Sequence, residues 1–212
     1  VSRDLTPVVL IGNSPLAVMV HPAVKAHSMK DLLALAKAKP SAINYGTSGQ
    51  GGTGHLATEL LCMMAGVKMT HVPYKGAGPA LIGLVGGEVD LMISGLASGL
   101  AYIKQKQVRA LAVTSAKRLP QVPEVPTVAE TVPGYEAGSW YAILTRAGTP
   151  RAIIDKLNRE VAAAITSPDV NSKLVAGGVD PEVLTPEQLG AKIRAETERW
   201  GKVVKAAGIK PQ

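Results

Sequence analysis

The chain has 212 residues, 46% of them hydrophobic, with a formal net charge of +7 and a single cysteine. That length supports one large domain or two small ones with a real core. No apolar run reaches the 18 residues that a membrane-spanning helix needs, and one cysteine excludes an internal disulfide. The basic balance favours acidic partners. Nucleic acid is disfavoured because aromatics are only 3%, Phe is absent and the lysines and arginines are scattered.

In chain order, Val1-Ser2-Arg3-Asp4-Leu5-Thr6-Pro7 lacks the apolar region of a signal peptide. Pro7 to Ile11 reads as a strand, and Leu16 to Val20 as another. Further strands are expected over Ala42 to Tyr45, Met69 to Val72, Val89 to Ile93 and Val108 to Val113. Helices are expected between them over Ser28 to Lys39, Gly54 to Ala65, Gly78 to Val85 and Leu96 to Lys104. Strands alternating with helices of this length imply βαβ units and a mostly parallel sheet. Ser28 with Asp31 is a helix start; Gly66 and Gly86-Gly87 are helix stops.

Composition then shifts. Pro120, Pro123, Pro126 and Pro133 punctuate an extended crossing segment, and Ala142 to Leu144 reads as a strand. The remainder is helical. Thr149-Pro150 opens a helix, Ser167-Pro168 a short one, and Thr185-Pro186-Glu187-Gln188 is a capping box that opens a long one. Ile153, Leu157, Ile193 and Trp200 lie on helix faces that need an apolar surface to cover; a deficit of strands is expected to leave them exposed.

The densest functional signal is Tyr45-Gly46-Thr47-Ser48-Gly49-Gln50-Gly51-Gly52-Thr53-Gly54-His55, between a strand and a helix. Glycines allow a ligand to approach the backbone. The first amides of a helix have no internal partners and carry partial positive charge, so this is an anion site. It is no P-loop, because His55 and Leu56 follow the last glycine in place of Lys and Ser/Thr. Gly49-x-Gly51-x-x-Gly54 matches a dinucleotide fingerprint in spacing. The acid expected at the end of the next strand is missing from Pro73-Tyr74-Lys75-Gly76, although Lys75 suits a 2′-phosphate. An NADP-binding enzyme therefore stays open as an alternative. No nucleophile elbow, zinc spacing or acid–base pair supports catalysis. His55, with Glu59 four residues on, reads as a hydrogen-bonding group, His71 as half-buried, and Cys62 as a buried apolar filler.

Further motifs accompany the loop: His71-Val72-Pro73-Tyr74-Lys75-Gly76, Gly86-Gly87-x-Val89-Asp90, Arg109-Ala110-Leu111-Ala112-Val113-Thr114-Ser115, Val125-Pro126-Thr127-Val128-Ala129-Glu130, Pro133-Gly134-Tyr135-Glu136, Ser139-Trp140 and Ala147-Gly148-Thr149-Pro150. Together with Asn44 to His55 the set resembles the tripartite tricarboxylate transporter receptors, the Bug-type periplasmic solute-binding proteins. The resemblance implies an α/β, periplasmic-binding-protein-like fold. It would have one complete doubly wound α/β lobe, residues 15–134, and a partial second lobe built from both chain ends, 1–14 with 135–212. It implies a non-enzymatic receptor, without cofactor or metal, that captures a small organic carboxylate in an interlobe cleft for the membrane permease subunits of such a transporter. The implied ligand residues are Ser48, Gly49, Gly51, Gly52, Thr53, His55, Tyr74 and Ser94. Relatives often carry an acid where Ser94 stands, which favours a plain carboxylate over an amino acid. The family's N-terminal part, with its signal peptide and a first ligand loop, is expected to be missing from this chain.

Overall fold

The computed structural model describes residues 4–209. They divide into two compact units, 15–138 with 202–209, and 4–14 with 139–201.

The larger unit is a five-stranded sheet flanked by helices. Its strands are the second half of β1 (Leu5–Val20), β2 (Asn44–Thr47), β3 (Thr70–Pro73), β4 (Leu91–Gly95) and β5 (Arg109–Val113), in the order β3-β2-β4-β1-β5. The helices α1 (Met29–Ala38), α2 (Thr53–Ala65), α3 (Ala77–Val85) and α4 (Leu96–Lys104) connect them, so the α/β class read from the alternation is present. Local chemistry sets their ends. The Ser28 side chain accepts the Asp31 amide at the start of α1, and Gly66 closes α2 with φ +64°.

β2 runs parallel to both β3 and β4. The expectation of a mostly parallel sheet needs one correction: β1 is antiparallel to β4 on one side and to β5 on the other. A second correction concerns its length. Pro7 to Ile11 and Leu16 to Val20 are one 16-residue strand rather than two. Pro15 falls where its pairing changes hands. Before it, Gly12 and Asn13 pair with β7 (Asp180–Pro181); after it, Leu16 begins the pairing with β4. A residue without an amide donor is tolerated at such a break in the ladder. Gly12 stays in the strand because a side chain there would meet the Asp180 carbonyl at 2.5 Å. The core of this unit is aliphatic: Met19, Leu81, Leu84, Val89, Met92 and Val113 are all within 5% of full burial.

In the smaller unit the first half of β1 pairs with β6 (Gly138–Arg146) and β7, and the unit's helices are α5 (Arg151–Thr166), α6 (Pro168–Ala176) and most of α7 (Pro186–Ala206). The capping box opening α7 is formed in both directions, Thr185 N–H to the Gln188 side chain at 2.9 Å and Gln188 N–H to the Thr185 hydroxyl at 3.2 Å. Of the four residues expected to lack cover, Ile153 (49%) and Leu157 (39%) are exposed. Ile193 is not: Leu10, Leu189 and the half-buried Trp140 and Leu144 enclose it. Trp200 is half-buried, its indole N–H bonded to Glu196 at 2.6 Å. β1 and β6 thus supply more apolar surface to α7 than the strand count suggested.

Candidate anion site

Parallel strands leave the sheet at the same edge, where open α/β sheets hold their ligands. Here β2, β3 and β4 lead into α2, α3 and α4, whose N-caps are Gly52, Gly76 and Gly95. None of the three caps has a side-chain hydrogen bond to its helix, in contrast to Ser28 on α1. The uncapped amides and helix dipoles therefore favour negative charge along this edge.

The loop from Thr47 to Gly54 is the most elaborate part of the edge. Gly49 and Gly51 have φ of +144° and +74°, which side chains rarely adopt. Gly52 N–H donates to the Gly49 carbonyl at 3.4 Å, closing a turn. Ser48 is exposed, and its hydroxyl lies 3.1 Å from where a side-chain carbon on Gly52 would be. Gly52 thus lets Ser48 fold over the helix start. Thr53 is exposed at the first helical position. Gly54 sits so close to β4 that a side chain would meet the Ile93 carbonyl at 2.3 Å. That approach brings the half-buried Ser94, the residue after Ile93, beside the loop.

Ser48, Gly49, Gly51, Gly52 and Thr53 are therefore gathered at one place, with Ser94 next to them. His55 lies underneath, 5% exposed, with Nδ1 accepting the Gly51 amide at 3.0 Å. Tyr74 takes part through its backbone: its amide donates to the Thr47 carbonyl at 2.9 Å, and its own carbonyl flanks Gly49. Its hydroxyl is directed elsewhere, donating to Glu88 at 3.0 Å, and its ring packs against Gly83 and Gly46.

Sequence reasoning missed the layer below the loop. Tyr45 and His71 are paired residues of the parallel strands β2 and β3, so their side chains share a face. Their rings stack at 5.1 Å, and His71 stacks on His55 at 3.8 Å with the planes within 13°. The Tyr45 hydroxyl donates a short hydrogen bond to Glu59, which lies 3.9 Å from His55 Nε2. Burial, reinforced by the Glu59 bond, raises the Tyr45 hydroxyl above its usual range. Burial lowers His55, partly opposed by Glu59; burial and the neighbouring His55 lower His71 to about 4. Burial also pushes the Cys62 thiol up to about 12, consistent with a filler. The available signals were the i,i+4 spacing of His55 and Glu59 and the alternation of Tyr45 and Thr47 on β2. Tyr45→Phe is expected to cost about 1 kcal/mol in urea unfolding, because Glu59 loses its donor in a partly buried setting.

Among the described residues no cluster of His, Cys, Asp or Glu could hold a metal, and no helix is long and apolar enough to cross a membrane. The Gly49-x-Gly51-x-x-Gly54 turn gains no support as an enzyme's dinucleotide site, since the Gly51 amide is already held by His55.

The model of the tripartite tricarboxylate transporter family receptor matches residues 1–209. A UPF0065 protein from the tcbD–tcbE intergenic region of a Pseudomonas species is 40% identical over 204 residues, covering 95% of this chain. The chain spans less than two thirds of the length of that relative, 61%. A R. palustris protein solved with adipate is 40% identical at a TM-score of 0.85, covering 100% of this chain and 71% of its own. A Rhodopseudomonas palustris protein solved with bound malate is 29% identical at a TM-score of 0.76, covering 94% and 69%. This family is one of periplasmic solute receptors and not of enzymes. With its edge of uncapped helix starts, its glycine loop and a family match over nearly its whole length, the chain belongs to the tripartite tricarboxylate transporter receptor family.

Proposed function

We propose that the chain is the ligand-loop-bearing part of an extracytoplasmic receptor that captures a small organic carboxylate and delivers it to the permease of a tripartite tricarboxylate-type transporter in the periplasm. The observation that carries this reading is the loop 46–55 at the carboxyl edge of three parallel strands. Residues 15–134 form the ligand-loop lobe in this proposal, and 1–14 with 135–212 belong to the second lobe. The carboxylate sits on the start of α2. Ser48 and Thr53 offer hydroxyl donors, and the backbone at Gly49, Gly51 and Gly52 leaves it room. Ser94 and the backbone of Tyr74 border the site, and His55 acts from beneath through Gly51. Adipate and malate in two relatives make a dicarboxylate the first ligand to try. An uncharged serine at position 94 favours a ligand without an amine.

A charge-assisted hydrogen bond contributes about 1.5–3 kcal/mol, some of which water returns when the donor is removed. Titration calorimetry with adipate and malate is expected to show about tenfold weaker binding for Ser48→Ala and for Thr53→Val. Unchanged affinity in both variants would sink the reading.

A further inference from the structure

Capture of a carboxylate leaves unexplained why two stacked imidazoles, the buried His55 and the half-buried His71, lie under the loop. The loop between Thr47 and Gly54 has two glycines with positive φ, Gly49 and Gly51, and an imidazole lies behind each. Gly51 donates its N–H to His55 Nδ1 at 3.0 Å. Gly49 is held by Thr47: its N–H donates to the Thr47 hydroxyl oxygen at 3.3 Å, the hydroxyl donates to the Gly49 carbonyl at 3.1 Å, and the same oxygen lies 2.7 Å from His71 Nε2. A ring nitrogen that accepts carries no proton, so His55 is the neutral Nε2–H tautomer while the Gly51 bond exists. The two rings are in face-to-face contact, 3.8 Å between centroids.

We propose that the stacked His55–His71 pair is a positioning device for the loop, in which His55 holds Gly51 in its open conformation only while its ring is neutral and His71, stacked on it, raises the cost of charging it. The idea rests on the reading of this loop as the carboxylate site. A proton added to His55 Nδ1 sets a donor against the Gly51 donor and breaks that bond. Protonating both rings places like charges in contact inside a partly buried stack. The groups that face the pair do not offset this. Glu59, on α2, favours a charged His55, yet burial outweighs it. Tyr45, on β2, covers His71 with a ring whose hydroxyl keeps its proton. Cys62 stays neutral. Val203 and Ala206 of α7, with Ala207 just after it, line the cavity beside Glu59 and Cys62 and are aliphatic. Acid therefore loosens the loop at Gly51, and the affinity for carboxylate falls with it.

The test uses the whole chain, without ligand, so its failure is separate from a failure to bind carboxylate. Nitrogen NMR of the histidines and amide exchange of Gly49 and Gly51 are followed from pH 7.5 to 4.5, with Met92 and Leu111 as core controls. His55 is expected as the Nε2–H tautomer. The protection factor of Gly51 should fall about tenfold through the histidine midpoint while the core stays protected. His55→Ala should lose that protection at every pH. His55→Asn, whose side-chain oxygen can stand in for Nδ1, should keep it and lose its pH dependence. Gly51 protection that is unaffected by His55→Ala, or a pH response unchanged in His55→Asn, would overturn the proposal.

Discussion

Gly54→Ala is expected to destabilise the larger unit by about 3 kcal/mol and to remove detectable carboxylate binding. An alanine within a helix ordinarily does the opposite: it gains roughly 0.5–1 kcal/mol over glycine through lost freedom of the unfolded chain. Sterics decide the sign here. The added carbon would stand 2.3 Å from the Ile93 carbonyl oxygen, far inside van der Waals contact. The obstacle is backbone in the middle of a paired strand, since Ile93 lies in register opposite Val18 of β1. It cannot swing aside like the tip of a side chain, so α2 must move away from β4. That displacement separates Ser94 from the loop and redirects the first amides of α2. Urea unfolding measures the first effect and adipate calorimetry the second. A variant as stable as the parent would show that the helix has room. Gly51→Ala is the useful contrast. No atom lies within 4 Å of a side chain there, so only its φ of +74° opposes the change, and a smaller loss of about 1 kcal/mol is expected.

Acid is expected to destabilise the protein by about 2 kcal/mol between pH 6.5 and 4.5, before most carboxylates protonate. Both stacked histidines are held below the ordinary value of 6.5, and His71 falls to about 4. The unfolded chain therefore binds protons that the folded chain refuses. Stability is complete above about pH 6.5 and declines as pH drops toward the folded value. A full shift of His71 corresponds to roughly 3 kcal/mol, reduced here because the ring is only partly buried and solvent screens it. Glu130, lowered to about 2 by its Arg118 bonds and the Thr127 amide, does not interfere. Its contribution is lost only as pH falls below about 4.5, as are those of Asp31 and Glu187. Urea midpoints across this range should fall in the parent and fall distinctly less in His71→Gln, where only His55 still resists protonation. A flat parent curve would mean that the stack accepts a proton at no cost.

What the sequence determined by itself was everything that depends on neighbours within a turn of helix. The Ser28 cap, the Thr185–Gln188 capping box, the left-handed stop at Gly66 and the bounds of α4 involve groups three or four residues apart, so their chemistry is written in order along the chain. The glycine loop before α2 was legible for the same reason. Tertiary structure decided the rest. That β1 is one strand, antiparallel between β4 and β5, depends on partners about 80 and 95 residues away, and no local propensity records their direction. The burial of Ile193 depends on Leu10, from the opposite end of the chain. The Tyr45–His71–His55 stack exists only because the register of β2 against β3 sets Tyr45 beside His71, while Gly54 lets α2 descend onto β4 and carry His55 down with it. Tyr74 was legible as part of the loop's surroundings, but the direction of its hydroxyl was settled by Glu88 across the unit. Local order could name the glycine loop; only packing could place two histidines beneath it.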